Sequence, residues 1–194
     1  MAGRGSQLSA EAFADVLAAA QVGAGWALES LYRSLAPAVV GYLRLQGVED
    51  PEDLSSEVFL GAFRNLGAFT GDAGGFRSWV FAIAHRRVLD DRRRRSRRPV
   101  PEDFEAVADR AGGGDAEEEV MGRLGTEAVL DLCRRLSPDQ RDVVLLRLVA
   151  DLGLEETAEA LGKSTGAVKA LQHRAMASLR KELQKENFEE GVSR

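Results

Sequence analysis

Apolar residues recur along this chain at intervals of three and four, almost from end to end. That is the period of helices with one buried face, and the alternation expected of half-buried strands is absent. A first helix is predicted from Leu8 to Ala20, broken by "GAG" at 23–25. Trp26 opens a second, "WALESLYRSLAPAVVGYLRLQG", with Leu28, Leu31, Tyr32, Leu35, Val39, Tyr42 and Leu43 on one side. Pro37 falls inside it and is expected to kink or divide it. In "GVEDPEDLSSEVFLGAFRNLGAF", turn residues precede Leu54, Val58, Ala62 and Leu66 at helical spacing. Gly71, Gly74 and Gly75 make the next break. "FRSWVFAIAHRRVLDDRRRR" then begins apolar and aromatic and ends basic. Its helix is expected to continue through about Asp91 and lose definition over Arg92–Arg98.

Pro99 and Pro101 mark a boundary. Beyond them the periodicity fails, and residues 99–127 hold nine acidic side chains against two basic ones, a formal charge of −7. "AGGGDAEEE" within this stretch reads as a flexible acidic linker. Helical spacing resumes in "EAVLDLCRRL". Ser137 is a suitable N-cap with Pro138 at the first helical position of "SPDQRDVVLLRLVADLG", which Gly153 is expected to end. "LEETAEALG" is a short helix ended by Gly162. "STGAVKALQHRAMASLRKELQK" is a longer one capped by Ser164 or Thr165, and the tail after it is expected to fray.

Composition narrows the class. The chain has 194 residues, 44% of them hydrophobic and 29% charged, with formal net charge −5. That is the balance of a globular protein, and no apolar run reaches the length of a membrane span. No secretory signal is read at the N-terminus, so a cytoplasmic location is expected. The single cysteine, Cys133, and two histidines make a structural zinc site or a disulfide framework improbable, and Cys133 sits at a buried-type spacing. No metal, cofactor, catalytic residue or small-molecule substrate is expected. Against this acidic background, Arg86–Pro99 contains eight arginines and two aspartates.

Two constellations suggest nucleic acid. A short helix, a turn at Gly162 and a longer donor-bearing helix have the outline of a helix-turn-helix. Val168, Ala175 and Leu179 fall on one face of the longer helix. Gly166, Lys169, Ala170, His173 and Arg174 fall roughly opposite. A plain amphipathic helix pair fits the same outline. Upstream, "GDAGGFRSWVFAIAHRRVLDDRRRR" sets a glycine-rich break and aromatics beside a cationic helix end, the parts a single-strand binder needs. Phe76, Trp79 and Phe81 fit a hydrophobic core equally well. The arginine run fits a solvated helix end.

These residues resemble a known family. "ALESLYRSLAPAVVGYLRLQGVEDPEDLSSEVFLGAFRNLGAFTGDAGGFRSWVFAIAHRRVLD" resembles the second conserved region of a bacterial extracytoplasmic-function (ECF) sigma factor of the sigma-70 family. "LSPDQRDVVLLRLVADLGLEETAEALGKSTGAVKALQHRAMASLRKEL" resembles its fourth region. The resemblance implies an all-α chain of two small helical domains, 1–98 and 127–186, joined by a flexible acidic linker over 99–126, with a tail at 187–194. It implies that Asp53, Leu54, Ser56, Glu57, Leu60 and Arg64 dock on the β′ clamp helices of core RNA polymerase. It places Thr70, Gly71, Asp72, Phe76, Arg77, Trp79, His85, Arg86 and Arg87 at the −10 element of promoter DNA. It places Ser164, Thr165, Gly166, Lys169, Ala170, His173 and Arg174 at the −35 element. The β flap of polymerase and an anti-sigma factor are further implied partners. The sequence departs from the family pattern at Ser56, Arg86, Ala170, Leu171 and Gln172, so the apolar stripe of the recognition helix is expected to shift by a residue. The function implied is transcription initiation. A stand-alone helix-turn-helix repressor, an enzyme and a polymerase-binding decoy are the alternatives. The linker acids are also expected to fold back on the basic stretch in the free protein.

Overall fold

The computed structural model describes residues 10–97 and 129–192. The acidic linker expected over 99–126 lies outside them. Four helices form the first module: α1 (Ala10–Gln21), α2 (Gly25–Leu45), α3 (Pro51–Arg64) and α4 (Ala73–Arg97), with a 3-10 turn at Leu66–Ala68. The second has helical residues 129–135 (α5), then α6 (Pro138–Leu148), α7 (Leu154–Leu161) and α8 (Thr165–Val192). Among the described residues there is no strand.

Local chemistry sets most boundaries. Pro51 opens α3, followed by Glu52 and Asp53, whose charges suit the positive end of the helix. At α6 the Ser137 hydroxyl accepts from the Gln140 amide at 3.4 Å, while the Gln140 side chain accepts from the Ser137 amide at 3.1 Å. This reciprocal cap satisfies two amides that the first turn would otherwise orphan. Ser164 caps α8 by accepting from the Ala167 amide at 3.2 Å.

Several boundaries differ from the sequence expectation. α2 runs unbroken through Pro37. Pro37 and Arg33 both lie on the exposed side, so the carbonyl that Pro37 leaves without a donor faces water. Gly74 and Gly75 belong to the first turn of α4, because the Asp72 carboxylate accepts from the Gly75 amide at 2.8 Å and starts the helix there. α4 continues to Arg97, past Asp91. Asp90–Arg93 and Asp91–Arg95 pair along it at 3.2 and 2.6 Å, the spacing that supports a helix. Gly153 ends no helix; its amide donates to Glu156 and opens α7. The backbone of α8 stays helical to Val192, where fraying was expected.

The main core links both modules. It joins Phe13, Leu17, Leu31, Val39, Tyr42, Val58, Phe76, Phe81 and Val88 to Cys133, Leu145, Leu146, Ala150 and Leu152. Two smaller clusters hold the second module together: Leu136–Val144–Ala175, and Val143–Ala158–Val168 with Leu154, Leu161 and Leu171 against it. α6 therefore works on two sides. Val143 and Val144 face α7 and α8, while Leu145 and Leu146 face the first module. Residues 142–146 are all buried.

Candidate nucleic-acid interface

On α3, Asp53, Ser56, Glu57, Leu60 and Arg64 are all exposed, and their spacing puts them on one outward face. Leu60 is the large apolar side chain of that face, 55% exposed. Leu54 is buried on the opposite side and anchors the helix.

The segment expected at the −10 element is divided. Thr70, Gly71 and Asp72 form an exposed loop before α4, and Arg86 is exposed two turns after Trp79 on the same face. Trp79 is half-buried, its ring stacked on Phe69 with centroids 5.2 Å apart. Arg87 lies 3.6 Å from Glu57 of α3. Two residues are placed differently from the expectation. Phe76 is 1% exposed, wedged among Phe13, Phe69 and Trp79, and in this arrangement offers no ring face to a base. His85 is 4% exposed. Arg77 turns toward the second module, donating to the Ala150 carbonyl and, at 3.4 Å, to that of Val149.

Around His85 lies a polar network that sequence reasoning missed. Gln46 is its hub. Its carbonyl oxygen accepts from Arg92 at 2.6 Å, which fixes the orientation of the amide. Its NH2 group then donates to the Tyr42 hydroxyl at 3.0 Å and to Asp142 at 2.9 Å. The Tyr42 hydroxyl, having accepted one bond, gives its own proton to His85 Nδ1, 3.1 Å away. Burial first, then the nearby Asp142 carboxylate, raises the Tyr42 hydroxyl far above its ordinary value, so that proton stays on the oxygen. His85 is consequently neutral, with its proton on Nε2.

Burial also holds the His85 imidazole below its ordinary value. Asp142 and, less strongly, Asp139 oppose that shift, whereas Arg92 and Lys163 reinforce it. Protonation would set a donor at Nδ1 against the Tyr42 O–H and leave that hydroxyl without an acceptor. Between its lowered folded value and the 6.5 of a free imidazole, the folded chain binds fewer protons than the unfolded one. Stability is therefore complete above that range and falls as pH drops through the mid-6s. A denaturation midpoint lower at pH 5.5 than at 7.5, with the difference reduced in His85→Gln, is the expected result.

The second module carries the helix-turn-helix geometry. α7 ends at Gly162, whose φ of 61° is left-handed. The Lys163 amide reaches back to the Ala158 carbonyl at 2.9 Å, and the Gly162 amide to that of Glu159 at 3.1 Å. This double closure reverses the chain into α8. A methyl group at Gly162 would meet nothing within 4 Å, so Gly162→Ala tests the backbone alone. It is expected to cost about 1 kcal/mol in chemical denaturation. Val168 and Ala175 are fully buried beneath α8, and Leu171 packs beside Val168, while Leu171 and Gln172 are both half-buried. Ser164, Thr165, Gly166, Lys169, Ala170, His173 and Arg174 are all exposed.

Fold and site together define a two-module helical protein with a C-terminal helix-turn-helix. "Sigma-70 region 2" matches residues 31–98 and "Sigma-70, region 4" matches residues 134–181. The ECF RNA polymerase sigma factor BldN of Streptomyces coelicolor is 35% identical over 167 residues, covering 85% of this chain and 63% of BldN. The ECF RNA polymerase sigma factor SigD of Mycobacterium tuberculosis is 33% identical over 178 residues, covering 87% of this chain and 82% of SigD. Among solved structures, CnrH in complex with the cytosolic domain of CnrY aligns with TM-score 0.66 at 23% identity, covering 89% of this chain and 97% of that one, a likeness of fold. The chain belongs to the sigma-70 family, among its ECF sigma factors. It is a transcription initiation factor and not an enzyme. Among the described residues no helix is long and apolar enough to cross a membrane.

Proposed function

We propose that this chain brings core RNA polymerase to a dedicated set of promoters by reading two DNA elements in two forms. The outward face of α3 docks on the β′ clamp helices, and the second module approaches the β flap. Lys169, Ala170, His173 and Arg174 face the −35 duplex, with the N-terminal turn of α8 at Ser164–Gly166 presenting amides to phosphate. The Thr70–Asp72 loop, Trp79, Arg86 and Arg87 serve the opened −10 strand, where a ring and guanidinium groups provide stacking and phosphate contacts. Holding unpaired bases better than paired ones favours strand separation without nucleotide hydrolysis. The action is cytoplasmic, and an anti-sigma factor restrains it.

The observation that carries this reading is the complete exposure of the α8 face over a buried Val168–Ala175 stripe. A plain amphipathic pair would also leave its polar face in water, so it is the tight turn at Gly162 and the region 4 match over residues 134–181 that favour DNA as what meets that face. The test is run-off transcription with purified core polymerase on promoter fragments from the genome that encodes the chain. A promoter-specific transcript that needs this protein, and that Lys169→Ala/Arg174→Ala abolishes, is the expected result. Specific duplex binding without any polymerase-dependent transcript would instead indicate a stand-alone repressor.

A further inference from the structure

We propose that Gln21, on α1, is a positioning residue for reading the opened −10 strand: its side-chain amide pins the entry of the Thr70–Asp72 loop from outside the segment that meets DNA. This inference rests on the reading of that loop given above.

The Gln21 side chain donates through Nε2 to the Phe69 carbonyl at 2.8 Å and to the Leu66 carbonyl at 3.1 Å, across 48 and 45 residues of chain. Both partners are carbonyl oxygens, so the NH2 end of the amide is the one that faces them, one hydrogen to each. Leu66 and Phe69 bracket the 3-10 turn that leads into the loop, and the Phe69 amide closes that turn on the Leu66 carbonyl at 3.0 Å. Gln21 is itself well held. Just past α1, Gly23 is left-handed at φ 86°, the Gly23 amide donates to the Ala20 carbonyl at 3.0 Å, and the Ala24 amide to that of Ala19 at 3.0 Å. The donor therefore stands on a fixed helix end.

The loop is short enough for this anchor to set its position. Its far end is fixed by Asp72, whose carboxylate accepts from the Gly75 amide at 2.8 Å. Its near end is Phe69, whose ring stacks on Trp79 at 5.2 Å and meets Phe76 edge-on at 5.5 Å. A methyl group at Gly71 would stand 3.0 Å from Phe69 Cζ, so the loop backbone lies directly against that ring. Thr70 and Gly71, both exposed, span the gap between the two anchors. Where Phe69 sits, they sit, and Gln21 fixes its main chain as the rings fix its side chain. Gln21 is exposed and contributes little to the core, so its loss should free the loop without unfolding the module. A surface that tells bases apart must be held to about 0.5 Å, whereas attraction to phosphate needs no such precision. The loss should fall on discrimination between bases more than on affinity.

The test uses holoenzyme assembled from core polymerase and the full chain. Its probes are fluorescein-labelled non-template strands carrying the −10 element of a promoter that gives a run-off transcript. Anisotropy measures affinity for the matched strand and for strands with one −10 base changed. The ratio is the readout, because a variant that folds less well loses active protein equally for every strand. The unsubstituted chain should prefer the matched strand about tenfold at its most selective base. Gln21→Met keeps length and neutrality without a donor, and Gln21→Glu sets a carboxylate against two carbonyls. Both should reduce the ratio to about twofold. Gln21→Lys restores donors, and its added charge acts on all strands alike, so its ratio should return toward tenfold. Circular dichroism and a cooperative melt establish that each variant is folded. If Gln21→Met keeps the full ratio while the unsubstituted chain discriminates, this proposal alone fails. If Gln21→Lys loses the ratio as completely as Gln21→Met, the donated hydrogen bonds are not the cause and the proposal is refuted. No transcript, or an unsubstituted holoenzyme without preference, overturns the reading of the loop and this inference with it.

Discussion

Phe76→Ala is expected to cost about 3–5 kcal/mol of folding stability, the range for truncating a buried aromatic side chain. The ring is 1% exposed and meets Phe13 at 5.9 Å, Phe69 at 5.5 Å and Trp79 at 6.0 Å between centroids. Removing it opens a cavity where α1, α4 and the loop between α3 and α4 meet. Domains typically have only about 5–15 kcal/mol in hand, so the variant should approach unfolding at moderate temperature. The measurement is the urea midpoint, with Phe76→Leu as the comparison, since it keeps much of the volume and should cost far less. A base-stacking role predicts the reverse: stability close to that of the unsubstituted chain, with promoter opening lost. That outcome would return Phe76 to the DNA surface. Trp79 and Phe69 are affected in either case, because Phe76 supports the stacked pair from beneath.

Much of this was legible in the sequence, for identifiable reasons. The caps of α6 and α8 are local, so Ser137 announced the first, and the second was narrowed to Ser164 or Thr165, of which Ser164 caps the helix. The face of α8 was legible because helical period alone separates Val168 and Ala175 from Lys169, His173 and Arg174. Boundaries that depend on neighbours were not. Pro37 reads as a break until the helix is seen to turn it toward water. Gly153 reads as a stop until Glu156 is seen to reach back to it. Phe76 and Trp79 are three residues apart with similar chemistry, and only packing decides that one is core and the other half-buried.

The largest omission was the contact between the modules. Gln46 and Asp142 are 96 residues apart, and no local pattern links them. A signal was present even so. "VVLL" at 143–146 runs a full turn of α6 without a polar residue, and such a turn must be buried on more than one side. The arginine run changes meaning accordingly. The linker acids expected to meet it lie outside the described residues; among those described its partners are Asp90, Asp91, Asp142 and, for Arg87, Glu57. Arg95 also donates to the Gly47 carbonyl at 2.8 Å. Arg86, Arg94 and Arg97 remain exposed.

Leu60→Asp should weaken binding to core RNA polymerase about 30-fold or more while leaving the fold intact, the loss expected when an interface hot spot is replaced. Leu60 is 55% exposed in the middle of a face otherwise made of Asp53, Ser56, Glu57 and Arg64. An apolar side chain held open among polar ones contributes little to the isolated protein, so its removal should change stability by no more than about 0.5 kcal/mol. Covered by a partner, it would be the desolvated centre of the contact, and a carboxylate there would be buried without a donor. Leu54→Asp is no substitute, because Leu54 is 5% exposed and its loss would unfold α3 before any docking could be measured. The measurement is a polymerase titration followed by fluorescence anisotropy, with single-strand DNA binding of the free variant as the control. Undiminished affinity in a folded Leu60→Asp variant would move the polymerase-docking surface off α3. A loss confined to polymerase binding would separate that surface from the one on α4, although the two helices pack against each other and share the Arg87–Glu57 pair at 3.6 Å.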